Sequence, residues 1–352
     1  MADDPAALVQ HHDTGAPDVD GDRCVHGLSP IAQCRACVAS CPQTAILLDD
    51  DGLSIDTSSC DSCGLCVAVC PQQAIALDRM SAPPVHDRDE ISTAYMACDR
   101  VAMPGSKGNV PCLNAISTSQ LARLHRSGVR RLAIAHEECR HCSRNAKPDL
   151  RDRVSDLARL LSDRELEQMT VLRLEAKTWR RDIEDAAKPN RRALFRAVLG
   201  RGTPMATASP PETAGGIIAA GALLDARSSA TLAESTPEIE QATCTACGAC
   251  VEICPHAAIA SAGEGPDERQ PAYVIDATAC TGCGLCINAC DVGAVTLVPW
   301  GRAHPPPVKL ARGRCRGCGA NYLNVPDGSV AADLCRICAA THHRKNLFQV
   351  LS

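Results

Sequence analysis

Aromatic residues are scarce in this chain, which has two Trp, three Tyr and two Phe among 352 residues. Its cores must therefore be built from aliphatic side chains, because aromatic rings normally supply much of the buried area of a core. Long apolar runs are also missing: the most apolar stretch, 214–224, contains three glycines and is about half as long as a transmembrane helix. The N-terminus has neither the basic start nor the apolar segment of a secretory signal. We therefore expect a soluble, cytoplasmic protein without a membrane span.

The formal net charge is −5 and is unevenly distributed along the chain. Residues 1–22 contain six aspartates and are expected to form a disordered acidic tail. Residues 300–352 instead contain eight Lys or Arg against two Asp. Such a basic end suits an acidic partner surface or a nucleic acid.

Cysteine is abundant, with 24 residues in the chain. Every cysteine falls into a group of four with the spacing of metal ligands, and the chain is far longer than the small secreted domains that depend on disulfides. The sequence therefore argues against a disulfide framework. It predicts several modules that need bound metal for their stability.

Two runs of C-x2-C-x2-C-x3-C between Cys244 and Cys290 form the strongest pattern in the sequence. Four soft thiolates at this spacing are typical ligands of an iron–sulfur cluster. The runs resemble those of the bacterial two-cluster ferredoxin family, in which the fourth cysteine of each run binds the other cluster. The resemblance implies two [4Fe-4S] clusters within residues 241–300. One would be held by Cys244, Cys247, Cys250 and Cys290, the other by Cys254, Cys280, Cys283 and Cys286.

Residues 23–80 repeat this pattern, which indicates an internal duplication. The resemblance assigns one [4Fe-4S] cluster to Cys41, Cys60, Cys63 and Cys66. In the first run, however, the expected first ligand falls at Ile31, which cannot coordinate iron. One interpretation is that Cys24 completes a [4Fe-4S] site with Cys34, Cys37 and Cys70 through a looped-out segment. The alternative is a [3Fe-4S] cluster on the last three cysteines alone.

Residues 90–186 have a different character, because strand-like and helix-like segments alternate and predict a small α/β domain with a parallel sheet. Four cysteines follow the predicted strands, where such folds hold cofactors. They are Cys98, Cys112, Cys139 and Cys142. Together with Pro111, Leu113 and Gly128, this layout resembles the delta-type iron–sulfur subunits that link hydrogenases to heterodisulfide reductase, which implies a [2Fe-2S] cluster. A structural zinc ion on the same thiolates is the alternative.

Residues 187–240 are rich in Pro, Ala, Gly, Ser and Thr and are expected to be a linker. Beyond the second duplicated unit, residues 308–345 contain two C-x2-C pairs separated by sixteen residues. The four cysteines are Cys315, Cys318, Cys335 and Cys338. Paired motifs of this kind are typical of a zinc ribbon, although a rubredoxin-like mononuclear iron site uses the same ligands.

These modules together predict an α+β multidomain protein. Two ferredoxin-like dicluster domains flank a small α/β domain, and a zinc-ribbon-like module lies at the C-terminal end. The sequence contains no nucleophile–base pair, phosphate-binding loop or flavin motif, so the chain is not expected to be catalytic alone. The resemblance implies a multi-cluster electron-transfer protein, and the number of clusters predicts the relay subunit of a larger oxidoreductase. Its partners would be a catalytic redox subunit and a soluble electron carrier; the catalytic subunit could be a molybdenum or tungsten enzyme such as a formate dehydrogenase, a hydrogenase, or a heterodisulfide-reductase-like assembly.

Two other functional classes fit parts of the sequence. A redox-sensing regulatory or nucleic-acid-associated protein would use the basic ribbon for binding, but the sequence offers few aromatic residues for stacking and no recognition helix. An enzyme acting at an open cluster position would need a cluster that lacks one ligand. Only the gap at Ile31 offers such a position.

Overall fold

The computed structural model describes residues 15–49, 52–78, 80, 82–101, 107–187, 218–224, 231–263, 270–326 and 333–341. These residues form a mixture of short helices and small sheets, as predicted from the sequence. None of the helices in these ranges is both long and apolar enough to cross a membrane. Most of the predicted acidic tail, residues 1–14, lies outside the described residues.

The first cysteine-rich unit consists of short helices and two-stranded antiparallel sheets. In chain order its elements are β1 (Asp18–Val19), α1 (Val25–Leu28), α2 (Ala36–Ser40), β2 (Ile46–Asp49), β3 (Gly52–Ile55), α3 (Leu65–Val69) and β4 (Ile75–Ala76). Strand β2 pairs with β3, and β1 pairs with β4. Because β1 lies within the segment expected to be disordered, the unit begins before residue 23. A strand of two residues has no sequence pattern that could predict it.

The middle segment contains the only parallel sheet among the described residues. Its elements are β5 (Val85–Arg88), β6 (Ile91–Cys98), β7 (Asn109–Val110), α4 (Thr118–Arg126), β8 (Arg131–Ala135), α5 (Leu150–Asp163), β9 (Thr170–Arg173) and α6 (Ala176–Ala187). The strand order is β5-β6-β8-β9, with β7 also paired to β6, and only β5 runs antiparallel. The carboxyl ends of β6, β7 and β8 therefore lie at one edge.

Both faces of this sheet are buried, as is usual for parallel strands. One face, with Ala94 and Met96, packs against α4 and α5, while Trp179 of α6 covers the other face. A 3₁₀ turn at Ala220–Leu223 packs into the first of these cores. This turn lies in the segment predicted to be a linker, so part of that segment completes the middle core.

The second cysteine-rich unit repeats the architecture of the first. Its elements are β10 (Ser235–Ile239), α7 (Ala249–Glu252), β11 (Ile259–Ala262), β12 (Ala272–Ile275), α8 (Leu285–Asn288) and β13 (Val295–Pro299). Strand β10 pairs with β13, and β11 pairs with β12. The predicted linker also includes β10, whose sequence STPEI has no long apolar run to mark it. The unit therefore starts earlier than residue 241.

The C-terminal module contains β14 (Val308–Lys309), β15 (Ala311–Arg314), β16 (Asn321–Asn324) and α9 (Arg336–Thr341). Strands β15 and β16 form a hairpin, whereas β14 pairs with β12 of the second unit. Leu310 and Val325 pack into the core of that unit. The module is thus attached to the second unit through a shared sheet and a shared core.

Candidate metal centres

All 24 cysteines lie among the described residues, and they converge in six groups of four. We number the groups I to VI. Site I contains Cys98, Cys112, Cys139 and Cys142; site II contains Cys41, Cys60, Cys63 and Cys66; site III contains Cys24, Cys34, Cys37 and Cys70. Site IV contains Cys254, Cys280, Cys283 and Cys286; site V contains Cys244, Cys247, Cys250 and Cys290; site VI contains Cys315, Cys318, Cys335 and Cys338.

In the second unit the fourth cysteine of each run lies with the first three of the other run. Burial raises the pKa of Cys250 to about 11, and the neighbouring thiols, including Cys290, contribute to the increase. Burial likewise raises the pKa of Cys286 to about 12, with a contribution from Cys254. The cysteines of the two runs therefore group in space in the crossed arrangement that the ferredoxin resemblance implies.

The first unit has the same crossing. Cys41 lies with the run that begins at Cys60 and lines the cavity of site II together with the three cysteines of that run. Cys70 lies in site III, where it lines a cavity with Cys34 and Cys37. Helices α2 and α3 bury Cys37 and Cys66, which pack against each other between the two sites.

Cys24 is the fourth cysteine around the cavity of site III. It is buried and immediately precedes α1, which carries the chain from Cys24 towards Cys34. Ile31, at the position that the repeat assigns to a ligand, has 43% of its surface exposed and does not line the cavity. The structure therefore places Cys24, and not Ile31, beside the other three cysteines of site III.

The backbone of the first run also differs from that of the other three. In those runs a glycine follows the second cysteine with positive φ, at Gly64 (φ 75), Gly248 (φ 78) and Gly284 (φ 82). A residue with a side chain rarely adopts this conformation. In the first run the position is Arg35, with φ −132. The backbone conformation thus differs in the same run in which Ile31 replaces the first cysteine of the repeat.

The environment of these thiols fits iron–sulfur clusters. Burial raises the pKa of Cys66 and of Cys63 to about 12, so thiolates there need a bound cation to be stable at neutral pH. Three of the four crossing cysteines accept a hydrogen bond from the backbone N–H four residues later, which stabilises negative charge on sulfur. These bonds are Ala74 N to Cys70 Sγ (3.3 Å), Ala258 N to Cys254 Sγ (3.3 Å) and Ala294 N to Cys290 Sγ (3.1 Å).

Two buried donors beside Cys283 provide a further test of this fit. Gln72 Nε2 and Thr281 Oγ1 have no hydrogen-bond partner of normal geometry among the described residues. Burial raises the pKa of Cys283, and both side chains act against that increase. Buried donors of this kind require an acceptor, and the negatively charged sulfur atoms of a bound cluster would supply one.

Site I lies at the carboxyl edge of the parallel sheet, where the sequence predicts a cofactor. Cys98 ends β6, Cys112 follows β7, and Cys139 begins a 3₁₀ turn after β8. Burial raises the pKa of Cys112 to about 11, and the other three thiols contribute. The four thiols suit a [2Fe-2S] cluster or zinc, and the choice between these metals stays a prediction.

Arg144 connects site I to site II. Its guanidinium donates to Asp61 Oδ2 (2.8 Å), to Asp99 Oδ1 (3.0 Å) and to the carbonyl oxygen of Pro111 (2.8 Å). Each of these partners is next to a cysteine of site I or II in the sequence. Burial alone would raise the pKa of Asp61, but the hydrogen bonds from Arg144 and Cys63 and the charge of Arg144 together outweigh it and lower the pKa. This arginine therefore holds the two metal-binding loops together.

Replacing Arg144 by methionine is expected to destabilise the contact between the middle domain and the first unit by about 3 kcal/mol, because two partly buried carboxylates lose their cation. Arg140→Met is a matched control, since its pair with Glu138 is exposed (72% and 59%) and exposed pairs contribute at most about 1 kcal/mol. Urea denaturation of the anaerobic holoprotein, followed by visible absorption, measures the difference. Equal midpoints for the two variants would contradict the role of Arg144.

Site VI has the dimensions of a mononuclear site. All four sulfur atoms lie within 4.8 Å of one another, and Cys318 Sγ is 3.8 Å from Cys335 Sγ. A tetrahedral zinc ion with bonds of about 2.3 Å places its sulfur ligands about 3.8 Å apart. Backbone N–H donors, first that of Cys335, lower the pKa of Cys315 and favour its thiolate. The four thiolates suit one zinc or iron ion.

Sequence reasoning missed three residues around these sites. Arg144 and Gln72 are polar residues whose partners lie far away in the sequence, so no local pattern identifies them. Tyr273 is 2% exposed and lies beside Cys244, Cys247 and Cys250. Because the chain has few aromatic residues, the presence of a tyrosine close to the cysteine runs is a feature of the sequence that could have marked it.

The comparison with known families agrees with the two repeated units. The family described as 4Fe-4S dicluster domain matches residues 31–74 and 243–294. This confirms the predicted resemblance of both units to two-cluster ferredoxins. No curated protein matches the chain.

Proposed function

Because the chain carries two 4Fe-4S dicluster domains, whose role is electron transfer, we propose that it is the electron-relay subunit of a larger cytoplasmic oxidoreductase. Sites II to V would each hold a [4Fe-4S] cluster, with Cys24 as the fourth ligand at site III. Site I would hold a [2Fe-2S] cluster or zinc, and site VI one zinc or iron ion. The clusters would accept and release single electrons.

The observation that carries this proposal is the unbroken series of contacts from site I to site V. Cys112 of site I and Cys63 of site II belong to one buried cluster. Cys66 and Cys37 connect sites II and III, and Cys286 and Cys250 connect sites IV and V. Between sites III and IV, Gln72 lines one site and approaches a cysteine of the other. A soluble carrier with one dicluster domain needs no such series.

Buried apolar side chains lie beside several of the sites. Leu65 and Ala115 are 2% and 0% exposed and pack with Cys63 and Cys112 of sites II and I. Tyr273 is buried beside three cysteines of site V. Such apolar surroundings are a main determinant of cluster potential. At the site I end, the loop with Glu138 and Arg140 is exposed. A redox partner would approach there or at site V.

The contacts of the basic C-terminal module favour this role over nucleic-acid binding. Arg312 donates to the carbonyl of Gly263 (2.6 Å), and Arg314 donates to that of Gly319 (3.3 Å). Arg316 pairs with Asp333 (3.0 Å). Three of the basic residues thus serve internal contacts. The catalytic partner would be a molybdenum or tungsten enzyme, a hydrogenase or a heterodisulfide-reductase-like assembly, as predicted from the sequence.

Reductive titration of the anaerobically purified chain tests the proposal. We expect four [4Fe-4S] clusters that each accept one electron, counted by EPR against iron and acid-labile sulfide content. Fewer than three reducible clusters in fully loaded protein would contradict a relay. Salt-sensitive binding to DNA or RNA by the same preparation would instead favour the regulatory class.

A further inference from the structure

The two dicluster domains touch each other although about 170 residues of chain separate them in sequence. His256 Nε2 lies 2.9 Å from Gln72 Oε1, and the backbone N–H of Gln33 donates to Asn288 Oδ1 (3.2 Å). Gln72 follows Cys70 of site III by two residues, and His256 follows Cys254 of site IV by two. The contact therefore joins the loops of site III and site IV, one from each domain.

Gln72 lies at the centre of this contact. It is 1% exposed and lines the cavity of site III. Burial raises the pKa of Cys70. The backbone N–H of Gln72 is one of the hydrogen-bond donors that oppose this increase. The side chain of Gln72 extends in the other direction, towards Cys283 of site IV. One residue thus approaches a sulfur ligand in each domain.

His256 fixes the orientation of the Gln72 amide. The carbonyl oxygen Oε1 can only accept a hydrogen bond, so His256 Nε2 must donate to it. The other end of the amide, Nε2, is then held away from His256 in the buried space beside Cys283. It has no hydrogen-bond partner of normal geometry among the residues that the structure describes. A donor that is buried, oriented and unsatisfied calls for an acceptor in that space.

We propose that Gln72 is the junction of the two domains: its backbone N–H donates a hydrogen bond to Cys70, and its side-chain amide donates one to the thiolate of Cys283. Gln72 is a positioning residue that brings sites III and IV together. It also sets the reduction potential of site IV from the neighbouring domain. This inference rests on the proposed relay and adds the point at which its two halves connect.

The direction of the effect follows from charge. Reduction adds an electron to a cluster, and a hydrogen bond to a ligating sulfur stabilises the added negative charge and raises the potential. Hydrogen bonds to charged groups are stronger than those between neutral groups. Losing the bond to Cys283 is expected to change the reduction equilibrium of site IV about tenfold, which corresponds to about 59 mV for a one-electron couple.

The test compares Gln72→Leu with wild type in anaerobic, full-length protein by potentiometric titration and EPR. We expect one cluster to shift about tenfold towards the oxidised form and the others to keep their potentials. Gln72→Glu retains the size of the side chain and an acceptor for His256 but replaces the donor by a negative charge, so we expect a larger shift in the same direction. His256→Leu, which frees the amide, is expected to shift the same cluster less.

Gln43→Leu is the matched control, because Gln43 follows Cys41 by two residues and lines the cavity of site II. It is expected to leave the cluster that responds to Gln72 unchanged. Unchanged potentials in either Gln72 variant that holds its full iron content would overturn the junction. A failure of the proposed relay would be recognised separately, because it would lower the number of reducible clusters in the wild-type protein. The junction is tested by the difference in reduction potential between the variants and wild type.

Discussion

Replacing Cys24 by alanine is expected to convert one [4Fe-4S] cluster of the chain into a [3Fe-4S] cluster, while the other three keep four irons. Cys24 is one of four cysteines around the cavity of site III, together with Cys34, Cys37 and Cys70. The other described cysteines belong to the remaining sites, so no substitute ligand is nearby. Three thiolates would remain, and three thiolates suit the three-iron form.

The conversion can be measured on anaerobically purified protein. An oxidised [3Fe-4S] cluster is paramagnetic and an oxidised [4Fe-4S] cluster is not, so an EPR signal should appear in oxidised Cys24→Ala and be absent from wild type. Iron content should decrease by about one atom per chain. Ile31→Ala is the control, because Ile31 is 43% exposed and lies outside the cavity. Full iron content and a silent oxidised spectrum in Cys24→Ala would exclude Cys24 as a ligand.

The sequence indicates Cys24 as the candidate fourth cysteine of site III because the number and spacing of cysteines can be compared among the four runs. Three of four runs keep one spacing, so the gap at Ile31 and the surplus cysteine ten residues before Cys34 are visible without a structure. The sequence does not indicate how the chain covers the extra distance. Helix α1 and the non-glycine conformation at Arg35 do this locally, and neither has a pattern long enough to predict.

Secondary structure in the middle domain was also predictable, because its helices are long and amphipathic. Leu157, Leu160 and Leu161 share one face of α5 and are at most 1% exposed. The same reasoning failed for β10 and for the turn at Ala220–Leu223, which were assigned to a linker. These segments are short, and they are ordered by packing against elements that lie far away in the sequence.

The junction between the domains was not predictable for the same reason: it forms between residues that are distant in the sequence. Gln72 and His256 are 184 residues apart, and a buried glutamine has no periodicity that distinguishes it from a surface one. Ligand spacing is local and survives in the sequence as a motif. The order of the sites in space depends on which surfaces of the duplicated units meet, and that order is visible only in the fold.

The second large effect is expected at site VI, where Cys338→Ala should release the metal and unfold the module. Within the part of the module that the structure describes, its own core consists of the buried Cys315, Cys335 and Cys338, with the partly buried Tyr322 and Leu334 packed against them. Such a small apolar core cannot balance the entropy of ordering the chain. Metal binding to a site of this kind contributes about 10 kcal/mol or more to folding at neutral pH.

Metal analysis and limited proteolysis of the full-length variant provide the measurement. We expect the loss of one zinc or iron ion per chain, rapid cleavage after residue 310, and unchanged iron–sulfur content at the other sites. Arg316→Met is the control, because its ion pair with Asp333 is exposed (75% and 58%) and contributes at most about 1 kcal/mol. Strand β14 pairs with β12 upstream of the lost ligands and should stay protected. Cleavage that extends into the second dicluster domain would mean that site VI also supports that domain, whereas a protease-resistant module without metal would contradict its dependence on the ion.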